Sequence, residues 1–207
     1  MVHPLVLSLS KDERFCSWFD KLTTSGHVLI TWGAPHQCDP LQLVTPLPIA
    51  AIVFGAMLIE TWRATRNEHV QRTRGGVEPP GDVYKLMRIV YPGAFLAMLA
   101  EGVARASPSP VLTAGVAVFA AAKALKWWAI LSLGPFWTFR VIVVPGAALV
   151  AKGPYRWLRH PNYIGVVGEL AGAAMMTGAW VSGVAAIATF GALLMKRIAV
   201  EERALER

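Results

Sequence analysis

Charge is scarce in this chain. Asp, Glu, Lys and Arg make up 16% of its 207 residues, against 55% hydrophobic residues and a mean hydropathy of +0.46. A soluble domain of this length needs a polar shell around its core, so that class is excluded. Cysteine is nearly absent too: Cys16 and Cys38 both lie ahead of residue 44, which leaves the rest without a cysteine zinc cluster or a thiol nucleophile. No Gly-x-Gly-x-x-Gly follows a predicted strand, and there is no P-loop and no His-Glu-x-x-His. Soluble nucleotide folds and zinc hydrolysis are disfavoured, and no metal site is expected. The net charge of +7 does not point to nucleic acid, because the basic residues sit beside apolar segments instead of forming a polar, aromatic-interleaved surface.

What is present is a series of long apolar runs. A span needs roughly 20 mostly apolar residues to cross a bilayer. The runs 43–62, 84–104, 111–131, 162–178 and 180–195 predict an all-α integral membrane protein with about five transmembrane helices. Lys196 to Arg207 reads as a separate charged helix, and residues 134–152, β-branched around Pro145-Gly146, as an extended or hairpin-like connection. Two domains follow: 1–43, a tail without sustained periodicity, and 44–207, the membrane domain. The tail is either extracytoplasmic, with a Cys16–Cys38 disulfide, or precedes the true start of translation. Lys and Arg crowd the first-to-second connection, the third-to-fourth connection and the C-terminus, which predicts that these face the cytoplasm.

Between the third and fourth runs lies Gly153-Pro-Tyr-Arg-Trp-Leu-Arg-His-Pro-Asn-Tyr163, a basic aromatic cluster whose Pro161 suits the first turn of a helix. The predicted topology puts Tyr155, Arg156, Arg159, His160 and Tyr163 on the same membrane face as Arg197, Glu201 and Glu202. Each also has a plainer reading: Arg197 and Glu201 are four apart and can pair with each other, and His160 can satisfy nearby backbone. Trp127, Trp128, Trp137 and Trp157 read as anchors at the membrane boundary, and Gly168 and Gly172 as helix packing. Glu101 reads as interfacial and structural. Glu169 lies inside the fourth span, where a carboxylate is costly and a functional role is the default; the alternative is a hydrogen-bonded structural Glu.

The cluster 153–163, followed by two spans and Arg197-Ile-Ala-Val-Glu-Glu202, resembles the isoprenylcysteine carboxyl methyltransferase family. Arg66-Asn-Glu-His, Gly75-Gly-Val-Glu78 and Arg140 to Gly146 are similar to a bacterial branch associated with type III polyketide synthases, whose members O-methylate alkylresorcinols or alkylpyrones. The resemblance covers residue 44 to the end. It implies an S-adenosylmethionine-dependent methyltransferase in the bacterial inner membrane. The third-to-fourth connection and the C-terminal helix would build a cytoplasmic cofactor pocket, and a lipophilic substrate would enter from the bilayer, supplied by a polyketide synthase pathway. Ala147, Ala148, Leu149, Val150, Tyr155, His160, Pro161, Asn162, Tyr163 and Glu201 would contact the cofactor, and Arg197 would orient the nucleophilic oxygen. Glu169, Glu202 or His160 would be the base if the acceptor is a phenol or enol; a prenylcysteine carboxylate would need none. Phospholipid N-methylation, a small transporter subunit and a membrane reductase are the alternatives.

Overall fold

The computed structural model describes residues 46–205 apart from 106, 108, 148 and 149. The tail 1–43, with its two cysteines, and the candidate residues Ala148 and Leu149 lie outside the described residues. Five helices make up the described chain: α1 Pro46–Thr73, α2 Tyr84–Arg105, α3 Leu112–Leu133, α4 Pro161–Thr177 and α5 Trp180–Leu205. Short 3-10 turns at Gly134–Phe136 and Gly153–Arg156 punctuate the connection between α3 and α4. The protein is an all-α integral membrane protein. Helices α1, α2, α3 and α5 are long and apolar enough to cross a bilayer, whereas α4, at 17 residues, is shorter and lies mostly buried among its neighbours.

Local chemistry sets these boundaries. Gly75, at φ +80°, lets the chain turn off the end of α1, and the Gly76 N–H returns to the Gln71 carbonyl at 2.9 Å. Asp82 accepts the Tyr84 N–H at 3.0 Å as α2 opens. Pro161 occupies the first turn of α4, where no N–H is needed. At the opposite end of the bundle, the Glu101 carboxylate accepts the Val181 and Ser182 N–H groups at the start of α5 and pairs with Arg105 at 3.0 Å. Its structural reading therefore stands.

Four expectations are corrected. Arg63 to Thr73 does not belong to a loop but continues α1, and Lys196 onward is not a separate helix but the last turns of α5. Among the described residues the 134–152 segment forms no hairpin with itself: Val143 bridges Val77 in the α1–α2 connection, by N–H···O bonds of 2.9 and 3.0 Å. Arg140 fixes that docking by pairing with Glu78 at 3.0 Å and Glu68 at 3.1 Å while lying over the Tyr84 ring. Trp137 is no boundary anchor, being buried against Ile130 and Phe139, while Trp128 and Trp157 are exposed.

The core is organised on α3 and α4, the most closely packed pair of helices. Glycines let their backbones approach: a Cβ on Gly172 would lie 2.6 Å from the Phe119 backbone nitrogen, and one on Gly168 would lie 2.7 Å from the Ala122 Cβ. Met98, Leu170, Ala179 and Phe190 fill the space between these helices, α2 and α5. Gly172→Val should therefore force the pair apart, at a cost of about 1–3 kcal/mol or more from overpacking. Gly55→Ala, at a site with no neighbour within 4 Å, should leave stability unchanged or slightly raised. Thermal unfolding of the two variants in one detergent checks this.

Candidate functional site

Five elements converge at the end of the bundle that carries the basic cluster. Tyr163, in the first turn of α4, points its hydroxyl between two residues of α5: it accepts a hydrogen bond from Arg197 Nε at 2.9 Å and donates one to Glu201 Oε2 at 2.6 Å. Arg197 and Glu201 lie one turn apart on the same helix face, yet they communicate through Tyr163. The Arg197 guanidinium, 6% exposed, places Nη1 3.3 Å from Asp82 Oδ1. The other Asp82 oxygen accepts the Val141 N–H at 2.9 Å. One carboxylate thus ties the start of α2, the extended 134–152 segment and α5 together.

Two cavities meet at this network. The first, about 370 Å³, is apolar and runs between α1, α2, α4 and α5, with walls such as Phe54, Met57, Val166 and Phe190. The second, about 660 Å³, is more polar and lies between the 134–160 connection and the end of α5, with Tyr155, His160, Glu201 and Glu202 among its walls. Trp137, Thr138, Asn162, Tyr163 and Arg197 line both. Around the polar cavity three buried atoms have no hydrogen-bond partner among the described residues: Trp137 Nε1, His160 Nε2 and Asn162 Oδ1. Buried polar groups are seldom left so, and here donor and acceptor positions surround a space that a polar ligand would fill. The His160 ring stacks on Tyr163 at 5.4 Å, and its Nε2 stands 3.5 Å from Glu202 without a hydrogen bond. Burial, with the Glu201 charge, pushes the Tyr155 phenol above its ordinary value, so it stays a neutral hydroxyl.

Most of the sequence-predicted residues come together here. Val150, Tyr155, His160, Asn162, Tyr163, Arg197, Glu201 and Glu202 all line the polar cavity. Pro161 is buried at the helix start and Ala147 is exposed, and neither lines a cavity. Glu169 lines neither cavity. It belongs to a charged quartet in which Glu60, Lys126 and Glu169 are buried and Lys123 is half-buried: Lys123 contacts Glu169 at 2.6 Å and Glu60 at 3.1 Å, and Lys126 contacts Glu60 at 2.7 Å and Glu169 at 3.1 Å. The Tyr91 hydroxyl donates to Glu169, while Glu60, Lys126 and Tyr91 form part of the apolar cavity wall. Asp82, Glu60, Lys123, Lys126 and Tyr91 were not singled out by sequence reasoning. The available signal was a pair of lysines, Lys123 and Lys126, inside a predicted span, where an ionisable side chain calls for a partner.

Removing one member of a buried ion pair strands its partner, typically at about 3–5 kcal/mol. Lys126→Met should destabilise the protein by that order, because Glu60 and Glu169 would then share Lys123. The double variant Glu60→Gln, Lys126→Met keeps the Lys123–Glu169 pair and overall neutrality, and should recover more than half of the loss. Unfolding of both variants in mixed micelles measures the difference.

Comparison with known proteins agrees with this architecture. Residues 114–207, which carry α4, α5 and the walls of the polar cavity, match the Isoprenylcysteine carboxyl methyltransferase (ICMT) family. The chain is 31% identical over 160 residues to the uncharacterized protein YpbQ of Bacillus subtilis (strain 168), a match covering 76% of this chain and 95% of that protein. No solved structure matches. The chain belongs to the isoprenylcysteine carboxyl methyltransferase family of membrane methyltransferases.

Proposed function

We propose that the protein transfers a methyl group from S-adenosylmethionine, bound in the polar cavity, to an oxygen of a lipophilic acceptor held in the apolar cavity. The observation that carries this reading is the shared wall: an apolar space open to the helix surfaces and a polar space meet at Asn162, Tyr163 and Arg197. Two reactants of opposite polarity entering from different media would be aligned there. Displacement at a sulfonium needs alignment and exclusion of water more than it needs a metal.

The residues around the polar cavity suit the cofactor. Trp137 Nε1, His160 Nε2 and Asn162 Oδ1 are buried and, among the described residues, unpartnered, and offer the hydrogen bonds that a nucleoside and an amino acid need. Glu201 supplies a negative charge beside that space, which favours a cationic ligand. When bound, the cofactor supplies an electrophilic methyl group; the protein's part is to orient the acceptor oxygen with Arg197 and Tyr163. The acceptor is of the alkylresorcinol, alkylpyrone or prenylcysteine type, and a polyketide synthase pathway would furnish the first two. Among the described residues the far end of the bundle carries one basic side chain, Arg105, and this positive-inside bias supports a site facing the cytoplasm from a bacterial inner membrane.

Calorimetric titration of detergent-purified protein with S-adenosylmethionine and S-adenosylhomocysteine tests the reading. Micromolar binding is expected. His160→Ala and Glu201→Gln should each weaken it about tenfold or more, as loss of a hydrogen bond to a charged or buried group does. Folded protein that binds neither compound, with acceptor lipids present or absent, contradicts it.

A further inference from the structure

The methyl acceptor would meet the cofactor at the boundary of the two cavities, and the groups able to take a proton there are few. Glu202 lines only the polar cavity and its side chain is 47% exposed. His160 lines that cavity alone, and Glu169 lines neither and is held by Lys123, Lys126 and Tyr91. Asp82 has both oxygens engaged, by Arg197 and Tyr84 on one and Val141 on the other. Tyr163 and Arg197 are the titratable side chains that line both cavities, and a guanidinium takes no proton.

We propose that Tyr163 is a proton relay: its hydroxyl receives the proton of the acceptor's hydroxyl group and passes its own to Glu201, so the lipids this site methylates carry a phenolic or enolic hydroxyl and not a carboxylate. The proposal rests on the methyltransferase reading above. A tyrosine hydroxyl has one proton and two lone pairs. The proton of Tyr163 goes to Glu201 at 2.6 Å, and one lone pair accepts from Arg197 Nε at 2.9 Å. The second lone pair is left for an acceptor O–H. As the new oxygen–methyl bond forms, the sulfur–methyl bond breaks with its electron pair left on sulfur. The acceptor proton moves to Tyr163 and the Tyr163 proton to the carboxylate of Glu201. The positive charge that leaves sulfur is thereby cancelled at Glu201, which borders the wetter cavity and can release the proton to water.

The same geometry disfavours a carboxylate acceptor. Arg197 already uses Nε on Tyr163 and Nη1 on Asp82, so a carboxylate seeking a two-point contact would have to share or displace Asp82. It would also add a third carboxylate beside Asp82 and Glu201, where the protein's own cation, Arg197, is already committed to Asp82 and Tyr163. Arg140, which faces the polar cavity, is taken up by Glu78 and Glu68. Arg88 lines the apolar cavity from an exposed position on α2. A neutral hydroxyl displaces none of these contacts.

The test uses the full chain in micelles and a long-chain alkyl nitrophenol, whose absorbance reports its own ionisation. Without cofactor, the bound probe is titrated from about pH 5 to 9 with the natural protein and with Tyr163→Phe. Loss of the Tyr163 hydroxyl, which hydrogen-bonds the ionised oxygen, should raise the probe's ionisation midpoint by about one pH unit, a tenfold shift. Equal midpoints with both proteins folded and binding the probe overturn the relay.

The second arm reads methyl transfer at saturating cofactor. Tyr163→Phe and Glu201→Gln should each lower kcat about 100-fold for an unactivated alkylphenol, with KM changed less than about threefold, and lower it less than about tenfold for the nitrophenol, which is already ionised. Equal losses on both acceptors, or faster transfer to a long-chain carboxylic acid than to the phenol, overturn the proposal. A midpoint shift without transfer to any acceptor leaves the Tyr163 contact standing and removes the methyltransferase reading, so the two fail separately.

Discussion

Three charges buried at membrane depth, Glu60, Lys126 and Glu169, together with the half-buried Lys123, hold this bundle to one arrangement. Glu169 lies about 12 Å along α4 from its start at 1.5 Å per residue, where an unpaired carboxylate would cost several kcal/mol. It is tolerated because Lys123 and Lys126 on α3 reach both it and Glu60 on α1, and Tyr91 on α2 adds a hydrogen bond. Val53 joins the core from α1, but Leu47, Ile52, Leu58, Ile59 and Trp62 of the same stretch are exposed. The quartet therefore sets how far α1 stands from α3 and α4, and hence the width of the apolar cavity that α1 helps to enclose.

A second network repeats this principle nearer the membrane surface. Asp82, Arg197, Tyr163 and Glu201 form one hydrogen-bonded line across α2, α5 and α4. Because α5 runs unbroken from Trp180 to Leu205, Arg197 and Glu201 are fixed on a helix packed along the bundle and not on a mobile tail. The extended segment after α3 is held over the site by Arg140 and by the Val77–Val143 bridge. Alignment of two reactants needs such rigidity, and it comes from contacts far apart in the chain.

Much of this was legible in the sequence because it is local. The apolar runs give the spans, Pro161 gives the start of α4, and Gly168 and Gly172 at small-residue spacing give the face that meets α3. The cluster 153–163 and Arg197 to Glu202 gave the polar cavity's walls, since both lie on the same side of a two-span hairpin. The helical run from Arg63 to Thr73 escaped notice because its polar residues bind the connecting segments, as Asn67 binds the Gly134 and Trp137 carbonyls, and show no apolar stripe. Lys123 and Lys126 were hidden within a strongly apolar run. Asp82 read as turn chemistry after Pro79-Pro-Gly81, and nothing in its surroundings announces a partner 115 residues away.

The measurement that bears most directly on this account is transfer of labelled methyl from S-adenosylmethionine by the purified protein to a panel of long-chain phenols, pyrones, prenylcysteines and aminophospholipids, with the products extracted and treated with base. The account predicts label in a base-stable methyl ether of a hydroxyl-bearing lipid. Label on nitrogen, or no label from protein that binds both cofactor and lipid, would contradict it.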